Sequence, residues 1–139
     1  MTTSVVVEAD GGSRGNPGPA GYGAVVKDAA TGQVLAERQA GLGHTTNNVA
    51  EYSGLIAGLT AARDLGATDV AVRMDSKLVV EQMSGRWKIK HPPLQTLARQ
   101  AGELVDAFGE VTFEWVPRAL NKEADRLANE AMDAQALRD

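Results

Sequence analysis

Hydrophobic and polar residues alternate along the first third of the chain in a way that predicts three short strands. The β-branched run Ser4–Ala9 and the alternating segments Tyr22–Lys27 and Val34–Ala40 each fit a strand. Glycines and prolines crowd Gly11–Gly21, which predicts a loop, and Asp28–Gly32 predicts a turn. Because both connections are short, we expect these three strands to form an antiparallel meander.

The rest of the chain alternates helical stripes with strands. Apolar residues recur every three to four positions, or follow a capping residue, in four segments. These segments predict helices over Val49–Leu65 with Gly66 as a C-cap, from Ser76 to Met83, over Leu94–Phe108, and over Lys122–Gln135 with Asn121 as the N-cap. Two further runs, Thr68–Met74 and Val111–Val116, predict the fourth and fifth strands.

The predicted order is βββαβααβα, without an internal repeat or a linker. Strands that alternate with helices pair in parallel through right-handed crossovers. We therefore expect an α/β fold with a mixed five-stranded sheet, its first three strands antiparallel and the others parallel, flanked by helices. A chain of 139 residues fits a single domain with its own core, and we expect residues 1–139 to form one.

The amino-acid composition argues against several classes of protein. Apolar residues make up 43% of the chain, which argues against disorder, and the absence of cysteine excludes disulfides and zinc-thiolate sites. The N-terminus does not resemble a signal peptide, and no stretch approaches the roughly 20 apolar residues of a membrane span. We expect a soluble, cytoplasmic protein with no membrane partner.

Four acidic residues lie where the predicted fold would bring them together. Asp10 and Asp75 follow the first and fourth strands, so parallel pairing would place both at one carboxyl edge of the sheet. Glu51 and Asp125 lie in the predicted first turns of the long and last helices, where they can face the sheet. The sequence thus predicts a cluster of four carboxylates from four separate segments.

Each acid also has an ordinary structural explanation. Aspartate is common in turns, and acids in first turns complement the helix dipole. Four converging carboxylates, however, repel one another unless cations join them. Oxygen ligands without cysteine favour Mg²⁺ or Mn²⁺ over zinc. The net charge of −4, which argues against a nucleic-acid binder, becomes −4 + 4 = 0 once the four site acids are set aside.

Four motifs around these acids resemble those of type 1 ribonuclease H. They read DGGSRGNPGPAGYG from Asp10, TTNNVAEYSGLIAGLTAA from Thr45, MDSKLVV from Met74 and NKEADRLAN from Asn121, in the order of that family. The similarity extends from Val5 to Ala131. No histidine lies between Trp115 and Asp125, which resembles the branch of the family that lacks a loop histidine.

The resemblance implies a ribonuclease H-like fold and an endoribonuclease that hydrolyses the RNA strand of RNA–DNA hybrids. It assigns two divalent ions, Mg²⁺ with Mn²⁺ as a substitute, to Asp10, Glu51, Asp75 and Asp125, with Asp10 bridging both ions. One ion lowers the pKa of the attacking water and the other stabilises the leaving 3′ oxygen. The products would carry 5′-phosphate and 3′-hydroxyl ends.

The resemblance also indicates where the hybrid binds. Reading the 2′-OH of RNA requires small polar groups near the cut strand. The candidates are Gly11, Gly12, Ser13, Arg14, Gly15, Asn16 and Asn48, with Thr46 and Asn47 on DNA phosphates. A basic patch around an aromatic residue supplies Arg86, Trp87, Lys88 and Lys90, and Arg118 is a further candidate for a phosphate. The alternatives are an ordinary Gly/Pro turn and a solvated loop with a packed tryptophan.

Two other functions fit the same residues. One is a noncatalytic module that binds hybrids or duplexes, although a binder gains nothing from acids beside phosphate. The other is a related nuclease that acts on duplex RNA or DNA. We expect a monomer. Because some relatives carry an additional C-terminal enzyme domain, one domain of a longer protein is an open alternative to a complete chain.

Overall fold

The computed structural model describes residues 3–138 and contains the predicted order of elements. The strands are β1 (Ser4–Ser13), β2 (Gly18–Asp28), β3 (Val34–Thr45), β4 (Asp69–Met74) and β5 (Glu110–Trp115). The helices are α1 (Asn47–Asp64), α2 (Lys77–Met83), α3 (Pro92–Val105) and α4 (Lys122–Arg138), and a 3-10 turn spans Arg118–Leu120. None of the helices among the described residues combines the length and apolar character needed to cross a membrane.

The five strands form one mixed sheet in the order β3-β2-β1-β4-β5. β2 pairs antiparallel with β1 and β3, whereas β4 pairs in parallel with β1 and β5. Both features of the predicted sheet are therefore confirmed. The parallel pairing of β1 with β4 brings together the two strands that carry Asp10 and Asp75.

Helices cover both faces of the sheet. α1 packs against β1 and β2 on one face, and buried side chains such as Val7, Leu55 and Leu59 form the core between these elements. α4 packs on the opposite face against β1, β2 and β3 through its buried alanines and Leu127. The amino-terminal parts of α1 and α4 consequently approach β1 from opposite sides.

The prediction that Gly11–Gly21 is a loop was wrong for most of its length. β1 continues to Ser13 and β2 begins at Gly18, so residues 14–17 alone form the connection. The turn is closed by the Arg14 amide, which donates to the Pro19 carbonyl at 2.9 Å. Glycine content suggested a loop, but several of these glycines lie in strands at points where a helix approaches the sheet.

The first long helix begins two residues earlier than predicted. Thr46 is its N-cap and accepts a hydrogen bond from the Val49 amide at 3.3 Å. Glu51 therefore lies beyond the first turn, so the prediction of a first-turn acid was wrong and the helix dipole does not explain this residue. At the other end Leu65 is the cap residue, and Gly66 follows it with a φ of 78°.

Candidate active site

Asp10 and Asp75 lie side by side where the parallel pairing of β1 with β4 ends. The last paired positions are Ala9 and Met74, and each aspartate is the next residue along the chain, Asp10 within β1 and Asp75 directly after β4. The prediction that the first strand ends at Asp10 was wrong, because β1 continues alongside β2 to Ser13. The predicted juxtaposition of the two carboxylates is nevertheless present, since the parallel pairing ends at this point.

Glu51 and Asp125 reach the same place from the two helices. Glu51 projects from α1 close enough to Asp75 for their charges to interact, and the Ser76 hydroxyl hydrogen-bonds to it. Asp125, in the first turn of α4, is close enough to Asp10 for a hydrogen bond between the two side chains when one of the carboxyl groups is protonated. Asp10 is thus the central member of the cluster, with Asp75 on one side and Asp125 on the other.

The four acids line one open cleft with a volume of about 480 Å³. The remaining lining residues are small, polar or basic, apart from one methionine. They are Gly11, Gly12, Ser13, Arg14, Asn47, Arg118, Asn129 and Met132. The cleft is therefore acidic at its base, with a basic side chain at Arg14 and another at Arg118.

Burial and mutual repulsion raise the pKa values of two of the acids. Removal from water raises the pKa of Asp10 to about 8, and its neighbours Asp75 and Asp125 add to the shift. Burial also raises the pKa of Glu51 to about 7, with the charge of Asp75 adding to the shift and the hydrogen bond from Ser76 opposing it. A cation in the cleft would relieve both effects.

The residues of the cleft suit hard divalent ions. Within residues 3–138, Arg118 is the one basic side chain that forms an ion pair with any of the four acids, at 3.2 Å from Asp125. No three acidic or histidine side chains of this part of the chain are already arranged around one ion. Mg²⁺ does not require three, because it commonly takes one or two carboxylates and completes its shell with water and phosphate oxygens. The adjacent carboxylates therefore fit divalent-ion binding of this kind.

The predicted nucleic-acid contacts fall into two groups. Gly11, Gly12, Ser13, Arg14 and Asn47 line the cleft. Gly15, Asn16, Thr46, Asn48, Arg86, Trp87, Lys88 and Lys90 do not. The structure therefore places the second group outside the cleft.

Local contacts explain part of this arrangement. The Asn47 side-chain oxygen accepts from the Ser13 amide at 2.6 Å, and the Asn16 side-chain oxygen accepts from the Asn47 amide at 3.0 Å. These bonds hold the 14–17 turn against the start of α1.

The basic patch around Trp87 lies at the surface. Arg86 forms an ion pair with Glu81 at 2.6 Å, while the Trp87 side chain is 45% exposed. Trp87 is therefore not part of the hydrophobic core, although a solvated loop with a partly packed tryptophan stays an alternative to a binding patch.

Sequence reasoning missed the role of Asn121, which it assigned as a helix cap. Asn121 does directly precede α4, and its main-chain carbonyl accepts from the Asp125 amide at 3.0 Å, but its side-chain oxygen has no hydrogen-bond partner and does not cap the helix. Its side-chain amide nitrogen donates to the Ala9 carbonyl at 2.9 Å and to the Asp75 carboxylate at 2.8 Å. An asparagine before a helix carries the same sequence signal in either role, so the sequence alone could not distinguish them.

Comparison with known proteins identifies the family. Residues 8–131 match the family model described as reverse transcriptase-like. Ribonuclease HI of Halobacterium salinarum is 47% identical over 124 residues, which cover 89% of this chain and 62% of that protein. The crystal structure of RNase H1 from this archaeon superposes with a TM-score of 0.90 at 45% identity, covering 94% of this chain and 98% of that one. The chain belongs to the type 1 ribonuclease H family.

Mycobacterial proteins supply further members of the ribonuclease H family. The bifunctional protein Rv2228c of Mycobacterium tuberculosis is 67% identical over 132 residues, which cover 95% of this chain and 36% of that protein. Its N-terminal RNase H domain, solved as a fusion, gives a TM-score of 0.96 at 65% identity and covers 98% of both chains. The present chain therefore spans about a third of the length of these mycobacterial relatives.

One ribonuclease H of known structure contains nucleic acid. LC11-RNase H1, solved in complex with an RNA/DNA hybrid, is 41% identical, covers 94% of this chain and 97% of its own, and gives a TM-score of 0.88. This agreement confirms the ribonuclease H fold over 94% of the chain.

Proposed function

We propose that this chain is an endoribonuclease that hydrolyses the RNA strand of RNA–DNA hybrids, leaving 5′-phosphate and 3′-hydroxyl ends. The observation that carries the proposal is the cleft in which Asp10, Glu51, Asp75 and Asp125 meet beside the glycine-containing end of β1. The choice of substrate is supported by the related LC11-RNase H1, whose structure contains an RNA/DNA hybrid.

The four acids would hold two Mg²⁺ ions, with Mn²⁺ as a substitute. Such a pair supplies an activated water and charge stabilisation of the leaving oxygen when it is bound with substrate. Asp10, which interacts with both Asp75 and Asp125, would help to hold the ions together with these two acids. Glu51 would supply the remaining carboxylate ligand.

The remaining lining residues would position the hybrid. Gly11, Gly12 and Ser13 present backbone at the edge of the cleft, where a 2′-hydroxyl can be read at short range. Arg14 and Arg118 would contact phosphates, and the patch of Arg86, Trp87, Lys88 and Lys90 would contact the duplex further away. We also propose that the domain works as a cytoplasmic monomer, or as one domain of a longer protein as in Rv2228c.

Cleavage of matched, end-labelled RNA–DNA, RNA–RNA and DNA–DNA duplexes in Mg²⁺ or Mn²⁺ tests the proposal. We expect rapid cutting of the RNA strand of the hybrid, product ends that ligate without prior phosphorylation, and no cutting of DNA. Tight hybrid binding without turnover in either metal would instead indicate a noncatalytic binding module. Preferential cutting of DNA–DNA would indicate a different nuclease.

The buried acids predict a distinctive dependence of stability on pH. Consider a carboxyl group whose pKa is higher in the folded protein than in the unfolded chain, where it is near 4. Its ionisation destabilises the folded state once the pH exceeds the pKa in the unfolded chain, and the loss grows until the pH passes the pKa in the folded protein. Since folding raises the pKa of Asp10 to about 8 and that of Glu51 to about 7, metal-free protein should lose stability between pH 5 and pH 8. Thermal unfolding in chelator across this range measures the loss.

Added Mg²⁺ should reverse that loss, and more strongly at pH 8 than at pH 5, because ions bind the deprotonated carboxylates. Asp10→Asn should show a flatter pH profile and a smaller response to Mg²⁺. A parent protein whose unfolding temperature is equally sensitive to Mg²⁺ at both pH values would contradict the assignment.

Arg118 should contribute to substrate binding through its charge. Its side chain is 73% exposed at the cleft and forms an ion pair with Asp125. We expect Arg118→Ala to lower kcat/KM for the hybrid about 5- to 20-fold and to reduce the slope of log(kcat/KM) against log[salt] by about one. Arg63→Ala, at the far end of α1, serves as the matched control. An unchanged salt slope would remove Arg118 from the phosphate contacts.

A further inference from the structure

Asp75 is held at two points by side chains from the segment that leads from β5 into α4. The Trp115 indole N–H donates to the Asp75 main-chain carbonyl at 3.2 Å. The Asn121 side-chain amide donates to the Asp75 carboxylate Oδ1 at 2.8 Å. Neither Trp115 nor Asn121 lines the cleft, so both contact Asp75 from outside the cleft.

The Asn121 amide also joins the two strands that carry the central aspartates. Its second N–H donates to the carbonyl of Ala9, the residue before Asp10, at 2.9 Å. One amide nitrogen therefore fixes the main chain beside Asp10 relative to the carboxylate of Asp75. Because Asn121 has no exposed surface, water cannot replace either bond.

The side-chain oxygen of Asn121 lowers the stability of the protein. Among the described residues, the Asn121 side-chain oxygen is the one buried side-chain atom without a hydrogen-bond partner. An unpaired buried acceptor costs free energy that a leucine of similar size would not. Asparagine at this position is therefore better explained by the contacts of its amide nitrogen than by packing.

Trp115 provides the second, independent constraint. It pairs with Met74 at the end of β5, which places its indole next to the residue after Met74, namely Asp75. The ring is 46% exposed, and the Lys77 ammonium lies 5.9 Å from its centroid. The indole is thus held at the surface where its N–H fixes the Asp75 carbonyl.

We infer that Asn121 and Trp115 are positioning residues that fix the carboxylate and main chain of Asp75 so that it can hold a divalent ion. The inference rests on the proposed function. Groups that orient a metal ligand restrict its rotation before the ion binds, and their loss typically weakens metal affinity or activity about 10- to 100-fold.

Calorimetric titration with Mn²⁺ alone, together with steady-state cleavage at varied Mg²⁺, tests the inference. We expect Asn121→Leu to weaken Mn²⁺ binding about 10- to 100-fold and to raise the Mg²⁺ concentration for half-maximal rate in parallel. Trp115→Phe removes a single bond at the surface and should weaken Mn²⁺ binding by about 3- to 10-fold. The KM for hybrid at saturating metal should stay within about twofold of the parent value, because neither residue lines the cleft.

Val70→Ala controls for a general loss of stability. Val70 is buried at the opposite end of β4, so its truncation should lower the unfolding temperature without changing Mn²⁺ affinity. If Val70→Ala weakened Mn²⁺ binding as much as Asn121→Leu, the effect would be structural and the inference would be overturned.

The remaining outcomes separate this inference from the proposed function. A parent protein that neither binds Mn²⁺ nor cuts hybrid would overturn the proposed function itself. A parent protein that does both, with folded Asn121→Leu and Trp115→Phe variants of unchanged Mn²⁺ affinity, would overturn the inference alone. If Asn121→Leu does not fold, Trp115→Phe decides, since its indole contact lies at the surface.

Discussion

Asp10→Asn should reduce Mg²⁺-dependent cleavage of an RNA–DNA hybrid by a factor of about 10³ or more, which corresponds to about 4 kcal/mol of transition-state stabilisation. Asp10 is the central acid of the cluster, interacting with both Asp75 and Asp125. Asparagine keeps the shape of the side chain but removes the charge on which two cations would depend. Single-turnover cleavage of a labelled hybrid measures the loss.

The same substitution should stabilise the metal-free protein. Folding raises the pKa of Asp10 to about 8, so above the unfolded value near 4 the charged form opposes folding. A neutral amide removes that penalty, and we expect an increase of about 1–2 kcal/mol, or roughly 3–8 °C in unfolding temperature, in chelator at pH 8. A residue whose removal abolishes activity while raising stability is typical of a functional site.

Asp64→Asn provides a matched control, because Asp64 is an exposed aspartate at the end of α1. It should change neither cleavage nor stability by more than about 0.5 kcal/mol. The catalytic assignment fails if Asp10→Asn cuts the hybrid at a rate near that of the parent protein. Lost activity together with lower metal-free stability would show instead that the substitution damages the fold.

The meeting of Asp10 with Asp75 could be predicted from the sequence because it depends on a simple rule. Two antiparallel turns make β3 run in the same direction as β1, and α1 then returns the chain so that β4 runs in that direction too. Residues that follow parallel neighbouring strands emerge at the same edge of the sheet. Glu51 and Asp125 were harder, since their contribution depends on which face each helix turns toward the sheet. Their spacing from apolar neighbours was enough to indicate that face.

The remaining features depend on contacts between distant segments, which the sequence does not encode locally. Gly11 lies within β1, and it is glycine because α1 approaches too closely for a side chain there. Glycine content alone predicts a loop. The Asn121 side chain donates to the carbonyl of Ala9, 112 positions away along the chain, instead of capping α4. Similarly, the basic residues around Trp87 form a patch in the sequence, but the fold places them outside the cleft.

Gly11→Ala should impair both folding and activity, because α1 leaves no space for a methyl group. A Cβ at Gly11 would lie 2.3 Å from the carbonyl carbon and oxygen of Ala50 and 2.6 Å from the amide nitrogen of Glu51. These are backbone atoms that cannot rotate away, so α1 must shift from β1. We expect a loss of about 3 kcal/mol or more of stability, measured by chemical denaturation.

The shift would also move Glu51 away from Asp10 and Asp75, because the clash occurs at the residue that carries the acid. A displacement of about 1 Å can cost about 100-fold in rate, so Gly11→Ala should lose at least that factor at temperatures where it remains folded. Gly12→Ala is the control for stability, since its Cβ would meet the flexible end of Met132 at 3.3 Å. Gly102→Ala, with open space around it in α3, is the control for activity. If Gly11→Ala were as stable as Gly12→Ala, the close contact with α1 would not be what positions Glu51.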